Sequence, residues 1–568
     1  MKADKIFING KIYTEDPRQP WAEAIAVAGK EILCIGSNEN IQSKAGEETG
    51  VVDLKGRVVL PGFIDGHTHP TTVAKTFYHV RMPFTHDKDE LLQNIKACAE
   101  KYSKEERPYL FCDNYFAETF GEEGPKKEVL DEIISDRPAR IQDFTDHACW
   151  YNSIALEMLK DENGIPHSES PSGMAEFVKD ERGEYTGWCL ESSPEGDLGI
   201  YEKIGWAPPE TADEEMLRPL MDYFKQHGIM CLFDAFTENE GSIKLFHDMD
   251  QQERLDLYYE GSVHVPDPEK IDDAINRLKD WQKKYTTEHV HINTIKIFVD
   301  GTNEMGDCCS LRPFSNDPEG KNKGAAYLSE EQLQTIMVKL NDEGIDLHLH
   351  VICDGAFRLV LNALESARSI CADTWKIHVT AAHCELIDPA DRSRAAKLGI
   401  YIDWSTHWSG GYFGEAAKTY LGEDRWNTMY DFKEIIADGA NVGFSSDVFT
   451  YQEAMRANPF FGMQVAMTRV DPVITLDPAK YPGSVRPPEA AKLTLEELIK
   501  GYTINNAVRL RLEEKMGSLE QGKLANFMIL NKDIFKVPAE ELSSVTAECT
   551  YFEGEERRIK STLSVARD

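Results

Sequence analysis

The chain reads as an α/β protein: a (β/α)8 (TIM) barrel with a β-sandwich assembled from both termini and a subdomain inserted after the first barrel strand. Three observations predict this. Short apolar runs alternate with helical patterns through the middle of the chain, the texture of repeated βα units. Eight such runs can be counted, the number that closes a barrel of this kind. Both ends instead carry short strand-like runs punctuated by Gly and Asn, in the manner of β-hairpins.

Taken in order, KIFING, AIAVAGKEILCIG and VVDLKGRVV place one part of the sandwich in residues 1–58. The run VVLPGFIDGHTH supplies the first barrel strand, within residues 59–82. Residues 83–193 are far too long for one βα connection and are rich in charge, aromatics and glycine, so they form the inserted subdomain. Because the insertion leaves the end of the first strand, it rises from the face where (β/α)8 proteins keep their chemistry, and could act as a lid. Residues 194–510 hold the other seven strands. These are GIMCLFDA from Gly228, LDLYYEGSV from Leu255, TIKIFVDG from Thr294, IDLHLHVI from Ile345, WKIHVTAAH from Trp375, IYIDWS from Ile400 and NVGFSSD from Asn441. Helical stretches such as SEEQLQTIMVKLNDEG and AFRLVLNALESARS lie between them and suit right-handed crossovers. The sandwich resumes in residues 511–568 with MGSLEQGKLANFMILNKDIF.

Composition excludes several function classes. At 568 residues the chain exceeds the size at which one hydrophobic core stops growing. Against 98 Asp plus Glu it has 62 Lys plus Arg, a formal charge of -36 that repels nucleic acid and anionic membranes. No long uninterrupted apolar stretch and no secretory pattern is present, so a soluble cytoplasmic protein acting on a small molecule is expected. The twelve cysteines include no C-x-x-C unit and read as reduced core residues. A homodimer would suit a chain of this size, although no motif specifies one.

In GFIDGHTHP, His67 and His69 stand two apart on a strand and so share a face, from which both can reach one metal ion. Such a pair alone is a weak signal, because strand histidines are often incidental. The other strands strengthen it. Lys296 lies in the fourth, His350 near the end of the fifth, His383 at the end of the sixth and Asp447 at the end of the eighth. Polar residues at successive strand ends converge above a barrel, where core residues would be branched and apolar. Imidazole suits Zn, Fe, Ni or Co.

With these residues in place, the chain resembles the amidohydrolase superfamily, and more narrowly its YtcJ-like branch (amidohydrolase family 3), which contains N-substituted formamide deformylase. The resemblance spans nearly the whole length: PGFIDGHTHP, DHACWYNSIAL, YTGWCLE, KIFVDG, HVICDGA, AAHCE, FSSD, YTINNAVRL and MGSLEQGKLANFMIL. It implies that His67, His69, His350, His383 and Asp447 are metal ligands or close neighbours. Lys296, carboxylated, would bridge two metals. His348, on the same strand face as His350, is the alternate ligand, and HVICDGA favours His350. The cofactor implied is a divalent metal, zinc first, one or two per chain.

The activity implied is hydrolysis of a C–N bond in an amide, formamide or cyclic amide. Metal coordination brings the pKa of water toward about 7, and Asp447 shuttles its proton to the leaving nitrogen. A mononuclear deaminase of a heterocycle is the rival reading, and a non-catalytic binding barrel the third. Substrate contacts are expected from His147 and Asn152 of DHACWYNS, Trp188 of YTGWCLE, Asp300 of KIFVDG, and His407 after the seventh strand. Trp150, Trp404, Trp408 and Phe449 could add apolar walls, although aromatics more often fill cores.

Three departures from the family pattern stand out. Cys353 replaces the Gly of H-x-I-G-D, and Ala382 replaces the Glu before His383. After KIFVDG comes TNEMGDCCSLRPF, which brings Glu304 and Asp307 and reshapes the pocket.

Overall fold

A computed structural model describes residues 2–557 apart from 77, 78, 81, 146, 169–174, 193–196, 208, 412, 413 and 452. Its centre is an eight-stranded parallel sheet in chain order: Phe63–Thr68, Ile229–Thr237, Tyr258–His264, Val290–Phe298, Asp346–Val351, Val379–His383, Tyr401–Ser405 and Asn441–Ser445. All eight runs read from the sequence are therefore strands of one barrel. The crossovers are amphipathic helices such as Glu330–Glu343, whose Leu333, Ile336, Met337 and Leu340 are buried at helical spacing. Ser329 caps that helix in a reciprocal box with Gln332, and Gly344 ends it in the left-handed conformation at φ 72°.

The seam between the first and eighth strands is held mainly by side chains. Asp65 accepts from the amide and the hydroxyl of Ser446, at 2.9 and 2.6 Å. Asn506 donates to the carbonyls of both Ile64 and Phe444, and the Asp447 amide donates to the His67 carbonyl at 2.7 Å. Two site residues thus sit on the seam, fixed by its bonds. Gly66 allows this crowding, because a Cβ there would lie 2.2 Å from Asp403 Oδ2 and 2.6 Å from Arg509 Nη2.

Both ends of the chain build the sandwich. One sheet runs Glu31–Gly36, Ala24–Ala28, Lys5–Ile8, Gly50–Asp53. The other interleaves the termini: Glu555–Arg557, Ala547–Phe552, Phe527–Leu530, Val58–Pro61, Lys11–Tyr13, Trp21–Ala22. Phe7 of the first packs edge-on against Phe527 and Tyr551 of the second, with centroids 5.0 and 4.7 Å apart. The run VVLPGFIDGHTH serves both bodies. Val59–Pro61 pairs with Phe527–Ile529 in the sandwich, and the barrel strand begins at Phe63 rather than at Val59. Gly62 makes the change of sheet, and a Cβ there would strike Met230 Sδ at 2.5 Å.

The insertion has a sheet of its own, ordered Glu176–Lys179, Tyr185–Leu190, Ala148–Tyr151, Ala139–Asp143, Leu110–Tyr115, with helices Lys88–Lys101 and Lys127–Ile133. A fully buried Arg140–Asp197 pair at 2.9 Å, bonded also by Tyr109 and Tyr151, anchors it.

Candidate active site

Above the barrel lies an open cavity whose empty space, solvent mouth included, is about 920 Å³. Its floor comes from strand ends. Asp447 sits at the centre. Its Oδ1 lies 3.0 Å from His69 Nε2 and 3.3 Å from His67 Nε2, and its Oδ2 lies 3.3 Å from His383 Nδ1. His67, His383 and Asp447 offer donor atoms within 4.8 Å of one another. The His350 and His383 rings are 4.6 Å apart, and His350 stacks on Phe298. Strand register explains the grouping: Lys296 pairs with His348, and Phe298 with His350. Chain reversal directly after the strands completes it, for His383 and Asp447 take left-handed conformations at φ 74° and 45°. Such backbone in non-glycine residues costs roughly 1–3 kcal/mol each and marks functional sites.

The electrostatics suit a cation. Burial, then the nearby Lys296, holds His67 well below the ordinary imidazole range, and His348 likewise. Burial with His147 does the same to His350, and burial with His350 to His383. These imidazoles are therefore neutral, with lone pairs to give. His67 Nε2 and His69 Nδ1 are buried without a hydrogen bond. Lys296 is buried, burial brings its pKa down to about 8, and among the described residues no carboxylate lies within ion-pair distance of its Nζ. Orphaned donors and an unpaired buried amine are costly unless something fills the space between them. This donor set fits one or two divalent ions.

His348 is not among the residues that line the cavity. It lies beneath the floor with Nε2 3.0 Å from His67 Nδ1, and so orients that imidazole rather than facing Asp447. Asp403 is 3.9 Å from the same nitrogen and is paired with Arg509 at 3.0 Å.

The insertion forms one wall. His147 reaches the cavity, its ring 5.6 Å from that of His350, and binds Glu191 at 2.8 Å. Burial opposes its protonation, but Glu191 outweighs it and raises the pKa to about 9. Trp408 and Phe449 line the cavity as well, with Trp408 stacked on His383 at 5.2 Å.

Four expected contacts do not reach it. Asn152 is a cap: its Oδ1 accepts from Ala155 and Ala139, and its Nδ2 donates to Ile134 and Arg137. Trp188 packs with Ala148 of the insertion and Met305 of the loop after the fourth barrel strand. Asp300 accepts the amides of Cys309, Ile352 and Cys353, tying the loops after strands four and five together. His407 is buried behind Trp408, near Arg456. Trp150 and Trp404 are core. Of the departures, Cys353 precedes the helix Asp354–Cys371 as its N-cap, and Ala382 is buried in its strand.

Carboxylates were the residues sequence reasoning missed. Glu191, Glu304, Glu385 and Glu453 all line the cavity. Of these, the sequence singles out Glu304 alone, through its unusual loop. Glu385 stands two residues after His383 at a strand end, and that position was the available signal. Burial pushes its pKa up to about 7, and burial with the neighbouring Glu385 holds Glu304 well above the ordinary carboxylate range.

Known proteins agree with this architecture. The profile described as Amidohydrolase family matches residues 50–557. The putative amidohydrolase YtcJ of Bacillus subtilis is 26% identical over 98% of this chain and 99% of its own length. The N-substituted formamide deformylase of Arthrobacter pascens is 25% identical, covering 97% of each chain. Among solved structures, an uncharacterized metal-dependent hydrolase from Pyrococcus horikoshii superposes with a TM-score of 0.67 at 21% identity, over 94% of this chain and 99% of that one. The chain therefore belongs to the amidohydrolase family and is a hydrolase of that family.

Proposed function

We propose that the protein hydrolyses a C–N bond of an amide, formamide or cyclic amide, releasing a carboxylate and an amine. The observation that carries this reading is the convergence of His67, His69 and His383 on the Asp447 carboxylate beside an unpaired, buried Lys296. His67, His69, His383 and Asp447 would hold a divalent ion, zinc first, with His350 beside them. Lys296 as a carbamate would turn a repulsive ammonium into a bridging ligand for a second ion. Its depressed pKa, about 8, favours the neutral amine that carbamate formation requires. Such an ion supplies Lewis acidity, polarising the scissile carbonyl and making water acidic enough to lose a proton near neutral pH.

The chain's own residues do the remaining work. Asp447, held by the seam hydrogen bond to the His67 carbonyl, accepts a proton from the attacking water and returns it to the leaving nitrogen. That return is needed because an amide anion is a very poor leaving group. Phe236, Phe449 and Trp408 shield the reacting group from bulk water.

The test is turnover of a panel of amides and formamides by metal-loaded enzyme, with amine and carboxylate quantified by mass spectrometry, and ¹³C-bicarbonate labelling of Lys296. Equimolar amine and carboxylate with a labelled lysine are expected. Ammonia from amino-heterocycles, without amide turnover and without label, would replace this reading with the deaminase one.

A further inference from the structure

We propose that Glu304 and Glu385 form a receptor for a protonated amine, so that the substrate is an acyl derivative of a diamine or of another amine bearing a second, cationic nitrogen. This rests on the C–N hydrolase reading and names its substrate class. Both residues line the cavity and both are buried. Glu304 Oε1 is buried with no hydrogen-bond partner among the described residues, and the residue lines the cavity. A buried carboxylate oxygen left bare is expensive, and a donor arriving with the ligand removes the penalty.

The surroundings say which donor. Glu385 accepts from Asn303 Nδ2 at 2.8 Å through Oε2, a neutral partner. Arg486 acts on both carboxylates from behind the wall, stacked on Trp426, but no ion pair to either is formed, and it can offset one of the two charges at most. His147, the other nearby cation, is already taken by Glu191 at 2.8 Å. An ammonium, with several donors and one positive charge, answers both groups and offsets the cost of ionising them as a buried pair, which a neutral or anionic group does not.

Position also limits substrate length. Glu385 follows His383 by two residues, a span of at most roughly 7 Å between Cα atoms. The cationic nitrogen would therefore sit a few methylenes from the bond to be broken, against the apolar Trp408 and Phe449.

The experiment compares N-formyl-1,4-diaminobutane with its uncharged isostere N-formylpentylamine on metal-loaded enzyme, in wild type, E304Q and E385Q. In parallel, binding of pentylamine and of its uncharged counterpart pentan-1-ol to wild type is measured by calorimetry. The expected result is a preference in kcat/KM for the cationic amide of on the order of tenfold or more, reduced toward unity in E304Q, with the amine a tighter ligand than the alcohol. Equal handling of the two amides together with equal binding of amine and alcohol would overturn the receptor. Selective amine binding without turnover of either amide would keep the receptor and sink the hydrolase reading. The wild-type binding comparison stands even if a variant fails to fold.

Discussion

Two clusters of histidine and carboxylate have nearly the same composition and opposite fates. At the barrel mouth are His67, His383 and Asp447; at the junction of barrel and sandwich are Glu288, His289 and Glu553. At the junction every group is answered. His289 binds Asp250 at 2.7 Å and Glu553 at 3.1 Å. Glu553 also takes Tyr258 at 2.7 Å and Lys30 at 2.8 Å, and Lys30 reaches Glu288 at 2.5 Å. At the mouth, His67 Nε2 and His69 Nδ1 have no hydrogen bond, and Lys296 lacks an ion pair among the described residues. The difference teaches that residue type and proximity do not identify a metal site. What identifies it is buried donor capacity that the protein leaves unspent, where a satisfied cluster serves as a weld between domains.

The contrast can be broken most forcefully at Asp447. Asp447→Asn keeps the shape of the site but removes the proton acceptor, and should cost about 10²–10⁴-fold in kcat while leaving the unfolding midpoint near that of wild type. Near-normal turnover in that variant would show that Asp447 carries no proton.

A satisfied polar residue should behave in the reverse way. Asn152→Ala removes a helix cap and leaves four backbone groups unanswered, so it should lose about 1–3 kcal/mol of stability in urea unfolding. Its kcat/KM should stay within about twofold of wild type, as surface and scaffold positions away from the chemistry do. A large kinetic defect at unchanged stability would return Asn152 to the substrate site.

Glu553 sharpens the comparison through pH. Burial opposes its ionisation, but His289, Lys30 and Tyr258 bring its pKa down from 4.5 to about 2. A carboxylate depressed on folding contributes stability that is fully present above 4.5 and is lost as pH falls from 4.5 toward about 2. Glu553→Gln should therefore be less stable at pH 7, by on the order of 1 kcal/mol, and should show a shallower loss across that acid window. An unchanged acid limb would mean that the junction is not held by this carboxylate.

Much of this was legible beforehand, for a physical reason. Barrel strands buried on both faces must be short apolar runs, and all eight could be read that way. His67 and His69 stood out because period-two spacing places them on one face, and Lys296, His350, His383 and Asp447 because they interrupt or end apolar strands. Asn152, Trp188, Asp300 and His407 misled because polar and aromatic residues in a motif serve scaffolds as readily as substrates. Only the hydrogen-bond partners of Asn152 and Asp300 reveal that their capacity is used up. For His348, the strand face it shares with His350 does not tell depth within the barrel, and only the HVICDGA pattern separates the two; its Nε2 lies against His67 Nδ1. Glu304 and Glu385 were hidden because their proximity arises from loops after different strands, a long-range relation no local pattern records.

The central claim is that the unspent donors at the mouth, and not the satisfied junction, hold the metal. The direct test is elemental analysis after zinc loading and desalting of wild type, the His67→Ala/His383→Ala double variant and His289→Ala. Zinc retained by wild type and His289→Ala, but absent from the double variant, is the result predicted. Zinc retained by the double variant, or lost from His289→Ala, would contradict it.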